Sequence, residues 1–276
     1  MIKLVVSDLD GTLLSDKHEL SGEVERGIRE FTAEGGLFTI ATGRSWSAVK
    51  DIAQRLSIRL PLILCNGAVL ADCQRVYYSS PIQLGELGDV FAGAAKAGLA
   101  VLLFQHTSVY GFGSRKGIER FMEKEKVNCE IIAPRKEELQ GMNALKAVII
   151  GDFEKSAELW RSCGMEDGIA YDVFQSESDF FEIVRHGENK GKAMLALAKL
   201  LGVSRHEILA VGNHMNDRDM LKEAGIGAAV SNCWNDLRGH ADYLCENSYG
   251  EGVMEAVYKF CNIKQPHSQP NADFRI

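Results

Sequence analysis

Four polar clusters in this 276-residue chain stand directly behind short apolar runs, and their residue types are ones that do chemistry. Asp8-Leu9-Asp10-Gly11-Thr12 follows Leu4 to Ser7, and Thr42-Gly43-Arg44-Ser45 follows Leu37 to Ala41. Asn66-Gly67 follows Leu62 to Cys65, and Gly212-Asn213-His214-Met215-Asn216-Asp217 follows Ile208 to Val211. Asp8 and Asp10, two apart on an extended segment, point to one side and can face one small ligand together. Taken singly, each cluster has a plain structural account. The first is a solvated strand end with an Asp-Gly turn, and Thr42 is a helix cap for Ser45 to Leu56. Asn66-Gly67 is a hairpin turn ahead of the strand-like Ala68 to Ala71 and Arg75 to Ser79. Lys190-Gly191 opens a helix through Ala193, Leu197 and Leu200 and would ordinarily be solvated. Their joint occurrence, each at a strand or helix end, is hard to obtain from packing alone, because ligands of open parallel sheets bind beyond the carboxyl ends of the strands.

The elements that must hold these residues alternate. Apolar runs of four or five residues are mostly followed by amphipathic stretches, the pattern of strand then helix in a parallel sheet. A helix from about Ser21 to Glu34 presents Val24, Ile28 and Phe31 on one face and stops at Gly35-Gly36. Further strands are expected at Ile226 to Val230 and at the edge, Tyr243 to Cys245, with Asp217 to Ala224 helical. Between about Gln83 and Asp179 the texture changes. Val101 to Phe104, Ala147 to Ile150 and Ala170 to Gln175 read as strands and Gly117 to Lys126 and Lys155 to Cys163 as helices, without strand-end acids. The expected fold class is therefore α/β: a Rossmann-like, doubly wound parallel-sheet core from residues 1–82 and 184–276, with an inserted α+β domain at 83–183 and a poorly ordered tail at 262–276.

Composition narrows the function classes. An apolar share of 46% with 25% charged residues is ordinary globular usage, and 27 Gly with 5 Pro exclude collagen-like and low-complexity chains. No run approaches the roughly 18–20 apolar residues of a spanning helix, and the N-terminus lacks a signal-peptide layout, so a cytoplasmic chain with no membrane partner is expected. The seven cysteines never form Cys-x-x-Cys and read as free buried thiols. The net charge of −7 comes without a basic run, which argues against a nucleic-acid partner. Residues 83–183 carry 11 Lys and Arg against 17 Asp and Glu, a net −6, leaving the rest of the chain nearly neutral.

Asp8-Leu9-Asp10-Gly11-Thr12-Leu13-Leu14, Ala41-Thr42-Gly43-Arg44, Asn66-Gly67-Ala68, Asn189-Lys190-Gly191 and Gly212-Asn213 through Asn216-Asp217 resemble, in order, the motifs of the haloacid dehalogenase superfamily. Ala241-Asp242-Tyr243 and Gly250-Glu251-Gly252-Val253 are similar to the closing signature of its Cof-type branch, subclass IIB. The resemblance is specific over about residues 1–82 and 182–258 and only architectural over the insert, where the family carries an α+β cap. It implies a Mg²⁺-dependent phosphatase acting on a small phosphate monoester, a sugar phosphate or a phosphorylated cofactor. Such hydrolysis needs a nucleophile, a proton donor for the leaving oxygen and cationic stabilisation of the phosphoryl charge. The resemblance makes Asp8 the nucleophile, forming an aspartyl-phosphate, and Asp10 the acid and base. Thr42 and Lys190 hold phosphoryl oxygens; Gly43, Arg44, Asn66, Gly67 and Asn216 line or support the phosphate site, with Arg44 equally readable as a helix-surface residue. Asp8, the carbonyl of Asp10, Asn213 and Asp217 ligate Mg²⁺, a hard ion that prefers oxygen, and His214 reads as a loop residue because Mg²⁺ disfavours imidazole. The family usually has Asp where this chain has Asn213, which predicts weaker Mg²⁺ binding. The alternatives are a ligand-binding or regulatory protein that kept the fold and lost turnover, and a phosphomutase-like enzyme. In the insert, Arg115, Lys116 and His106 are candidate leaving-group contacts with no position assignable from sequence.

Overall fold

Side chains of the first strand, β1 (Leu4–Asp8), alternate between two apolar clusters, Leu4 and Val6 on one face of the sheet and Val5 with Leu9 on the other. A strand buried on both faces must be sandwiched between helix layers. The computed structural model, which describes residues 1–106, 108–166 and 168–261, shows this arrangement. Helix α1 (Gly22–Ala33), capped by the Ser21 side chain on Val24 N–H, packs its Val24, Ile28 and Phe31 on one face. Strand β2 (Leu37–Ala41) and helix α2 (Trp46–Arg55) follow. Then come β3 (Leu62–Leu64), β4 (Val69–Ala71) and β5 (Val76–Ser79).

A second sheet is inserted between β5 and the return to the first. It is entered through β6 (Ile82–Gln83) and contains α3 (Gly88–Lys96), β7 (Ala100–Phe104), β8 (Val109–Gly113), α4 (Arg115–Glu125), β9 (Glu130–Ile131) and the short α5 (Lys136–Leu139). It continues with β10 (Asn143–Ala144), which pairs with β6, then β11 (Lys146–Ile150), α6 (Phe153–Ser162), β12 (Tyr171–Glu177) and β13 (Phe180–Arg185). Its order is β12-β13-β11-β7-β8-β9, antiparallel except for β8 with β9. One face packs on α3 and α6 through Val101, Leu103, Ala147, Ile149, Phe181 and Ile183. The other, with Phe104, Val148 and Phe180, meets Ile118 and Phe121 of α4.

The first sheet resumes with α7 (Lys190–Leu201), β14 (Ile208–Gly212), α8 (Arg218–Glu223), β15 (Ile226–Ala229), α9 (Asn235–Arg238), β16 (Tyr243–Leu244) and α10 (Tyr249–Phe260). Its order is β16-β15-β14-β1-β2-β3-β4-β5, parallel from β16 to β3, with β4 and β5 closing it as antiparallel strands. Helices α1 and α10 cover one face, α7 and α8 the other. The fold is α/β, a Rossmann-like core carrying an inserted α+β cap. Since β1 has β2 on one side and β14 on the other, the switch point of the sheet lies beyond Asp8.

Several elements differ from the sequence expectation for identifiable reasons. β3 stops at Leu64 because Cys65 and Asn66 take positive φ of 51° and 55°. Thr42 does not cap α2; Ser45 holds the N-cap position. Asn66-Gly67 does turn an antiparallel hairpin, the one from β3 to β4. α4 starts at Arg115 under a Ser114 cap and ends where Lys126 turns left-handed. The last insert strand runs to Arg185, past residue 183. The expected tail at 262–276 lies outside the described residues, among which no helix is long and apolar enough to cross a membrane.

Candidate active site

The backbone brings the sequence-predicted residues together at the carboxyl ends of β1, β2 and β14. Asp8 ends β1 and pairs in register with Ala41, so Thr42 stands one residue beyond it. Lys190, the first residue of α7, is fully buried and donates to Asp8 Oδ1 and to Asp217 Oδ1, each at 2.6 Å. Asp217 Oδ2 accepts the backbone N–H groups of Asn213 and His214, at 2.9 and 3.0 Å, which locks the loop after β14 around the carboxylate. Two glycines make this possible. A Cβ on Gly212 would lie 2.5 Å from the Asp217 side chain, and one on Gly67 (φ +98°) would lie 2.2 Å from the carbonyl oxygen of Asn189, just before Lys190.

Electrostatics follow from burial. Burial and the neighbouring Asp217 push the Asp8 carboxyl up to about 7, against the pull of Lys190. Burial works against the Lys190 charge, but the two carboxylates outweigh it and hold the ammonium protonated. Two carboxylates share this one ammonium, so the cluster carries a net negative charge only once Asp8 has lost its proton.

Asp10 sits differently. Its carboxylate receives a two-pronged bond from Arg44, Nε to Oδ2 at 2.8 Å and a terminal nitrogen to Oδ1 at 2.6 Å, with His18 Nδ1 3.1 Å from Oδ1. Burial would raise its pKa, but these bonds win and keep it well below the usual carboxylate range. Arg44 also lies 3.4 Å from Glu125 at the end of α4, across the gap between the two sheets. These contacts fold Arg44 back onto Asp10 and Glu125 instead of leaving it on an open helix surface.

A cleft of about 200 Å³ opens above, and Asp8, Asp10, Gly43, Arg44, Asn213 and Asn216 line it. Thr42, Asn66, Gly67, Lys190 and Asp217 are buried and do not line it. Asn213 Oδ1 accepts from the Thr12 hydroxyl at 3.0 Å. Asn216 donates to Asn66 Oδ1 at 3.1 Å, and Asn66 donates to Glu182 Oε2 at 2.9 Å, a chain from the metal-motif loop into the inserted sheet. His214 is buried against Trp234, ring centroids 3.7 Å apart, and neither ring nitrogen has a hydrogen-bond partner among the described residues. Of the insert candidates, Arg115 and Lys116 are exposed, and His106 lines a different cleft. Three residues escaped the sequence reading. His18 left no signal in its loop, whereas Lys146 and Glu182 did: Lys146 opens an otherwise apolar strand, and Glu182 breaks the apolar run from Phe180 to Val184.

The residues here carry oxygens of the kind a hard divalent cation prefers: the Asp8 and Asp217 carboxylates, which here hold Lys190, the Asp10 carbonyl, and the Asn213 amide, which here accepts from Thr12. No group of three or more His, Cys, Asp or Glu side chains forms a metal cluster among the described residues, so a cation at this place would draw on carbonyl or amide oxygen as well.

A model of the haloacid dehalogenase-like hydrolases matches residues 5–257. The chain belongs to that family. This haloacid dehalogenase-like hydrolase is 26% identical over 282 residues to phosphatase YwpJ of Bacillus subtilis (strain 168), covering 93% of this chain and 99% of that one. It is 24% identical over 262 residues to the 5-amino-6-(5-phospho-D-ribitylamino)uracil phosphatase YcsE of the same organism, covering 93% and 94%. A haloacid dehalogenase-like hydrolase from Bacteroides thetaiotaomicron superposes with a TM-score of 0.79 at 25% identity, covering 94% and 99%. The protein is a phosphatase of this family.

Proposed function

We propose that the protein hydrolyses a small phosphate monoester, with Mg²⁺, through an aspartyl-phosphate on Asp8. The observation that carries this reading is the buried Lys190 ammonium shared by Asp8 and Asp217 at the switch point of the sheet. An Asp8 oxygen attacks phosphorus and the ester P–O bond breaks. Lys190 offsets the repulsion between Asp8 and the incoming anion, and the Gly43 backbone, which lines the cleft, would hold the phosphoryl oxygens with the adjoining Thr42 hydroxyl. Once released from Arg44 and protonated from solvent, Asp10 gives that proton to the departing alkoxide and then takes one from the water that cleaves the acyl phosphate, releasing inorganic phosphate. For the first of these transfers Asp10 must be free of Arg44, and the phosphoryl group is a competing anion for that guanidinium. Asn66, Gly67 and Asn216 keep the lysine and phosphate sites in register. Mg²⁺, held by Asp8, the Asp10 carbonyl, Asn213 and Asp217, supplies positive charge to the phosphoryl oxygens when bound.

The test is release of inorganic phosphate from a panel of phosphometabolites with Mg²⁺ and with a chelator, using Asp8→Asn as the control. Mg²⁺-dependent release that disappears in the variant is expected. A folded wild-type protein that releases phosphate from nothing in the panel would sink the proposal in favour of a ligand-binding role, and isomerisation of a sugar monophosphate without release would favour a phosphomutase.

A further inference from the structure

The inserted sheet turns one face to the cleft, and the strand period puts an unusual set of residues on it. Lys146 opposes Phe104, Val148 opposes Glu182, and Ile150 opposes Phe180 across the ladders. Phe104, Lys146, Val148, Phe180 and Glu182 all line the cleft, joined by Phe121 from α4. An aromatic wall thus surrounds a buried ion pair: Lys146 is 4% and Glu182 3% exposed.

The two members of the pair are not equivalent. Glu182 is fully engaged, its Oε2 accepting from Lys146 at 2.8 Å and from Asn66, its Oε1 from the Ser176 hydroxyl. Lys146 carries three donors, and Glu182 is the only acceptor it reaches among the described residues. Its ammonium lies 4.6 Å from the centroid of the Phe104 ring, a cation–π contact that helps hold it in place. Because Lys146 lines the cleft, its remaining donors are open to an acceptor that arrives with the substrate. The other charges facing the cleft from the insert are already matched, Lys124 with Glu177 and Glu125 with Arg44. A second phosphate or a carboxylate on the leaving group would meet three glutamates and no unpaired cation. At about 200 Å³ the cleft is also smaller than the roughly 300–1,000 Å³ typical of sites for drug-sized ligands.

We infer that the leaving group is a neutral, single-ring aromatic or heteroaromatic alcohol bearing an acceptor oxygen, its ring against Phe104, Phe121 and Phe180 and its oxygen on Lys146. Glu182 is a positioning residue: it holds the lysine, and through Asn66 and Asn216 it ties the leaving-group pocket to the loop that carries Asp217. The inference rests on the phosphatase reading above.

The experiment measures kcat/KM for phosphate release from benzyl phosphate, 3-hydroxybenzyl phosphate, glucose 6-phosphate and fructose 1,6-bisphosphate. It compares wild type, the double variant Lys146→Met with Glu182→Gln, and Phe121→Leu, each checked for a cooperative thermal transition. The double variant removes the charge pair together, so that no lone buried charge remains. In the wild type both benzyl esters should exceed both sugars, with the hydroxyl-bearing one ahead by about tenfold or more. The double variant should bring that hydroxyl preference to about one through KM, and Phe121→Leu should erode the preference for rings over sugars; either folded variant tests the idea by itself. Fastest release from the bisphosphate, or a hydroxyl preference that survives in the folded double variant, overturns the inference while leaving the phosphatase reading intact. Release from none of the four overturns both.

Discussion

Two buried lysines, about 45 residues apart in sequence, solve the same problem in opposite ways. Lys190 has two carboxylate partners and lies at a helix start, beyond the end of a parallel strand. Lys146 has one carboxylate partner and opens an antiparallel strand. The first cluster has one carboxylate more than its ammonium can match, and the second pairs one with one and leaves lysine donors open to the cleft. The difference teaches that burying a lysine does not define a role; the charge left over after pairing does.

Removing the proposed nucleophile separates the two most sharply. Asp8→Asn should lower phosphate release on the order of 10⁴-fold for every substrate, whereas substitutions at Lys146 should change the ranking of substrates. A uniform loss at Lys146 would break the comparison. Stability gives the next largest effect. With metal chelated, Lys190→Met leaves two buried carboxylates without their counter-ion and should cost about 3–5 kcal/mol in urea unfolding. Lys146→Met leaves Glu182 with its bonds from Asn66 and Ser176 and should cost less, about 1–3 kcal/mol. Equal losses would mean the extra carboxylate at the core site adds nothing.

A smaller effect concerns the metal alone. Asn213→Asp adds a negative charge beside Asp217 and should lower the Mg²⁺ concentration for half-maximal turnover a few-fold, as ligand charge does in oxygen sites. Lys146→Met should leave that concentration where it is. An unchanged Mg²⁺ dependence in Asn213→Asp would remove the reason for expecting weak binding. The smallest effect is one of pH. Burial would raise the Glu255 pKa, but hydrogen bonds from Tyr243, Glu246 and Asn247 outweigh it and leave it lowered. The stability it adds is therefore present above its unfolded pKa and lost as pH falls through the folded one. Glu255→Gln should flatten thermal stability slightly below pH 5, equally with or without Mg²⁺, because Glu255 belongs to neither lysine cluster.

The core site was legible because strand ends in a parallel sheet must converge, so Asp8, Thr42, Asn66 and Asp217 announce themselves by following apolar runs. Arg44 was ambiguous because nothing local distinguishes a helix-surface arginine from one folded back on Asp10. The insert was harder to read for physical reasons. Gly111 and Gly113 disguise β8, and the Gly- and Ala-rich stretch of α3 lacks a clean polar face. Glu182 interrupts the apolar run of β13, although that interruption is itself the mark of a charge with a purpose.

The contact between Gly67 and the Asn189 carbonyl has one more consequence. It pins the hairpin after β3 to the start of α7, and Tyr78 bonds Glu188 beside it, so the chain's long excursion departs and returns at a fastened neck. These contacts hold together the two chain ends whose separation a loop of that length would otherwise leave free. A sheet hung on such a clasp can change its cleft-facing side chains without moving the lysine and the two aspartates, because both crossings are fastened at its base.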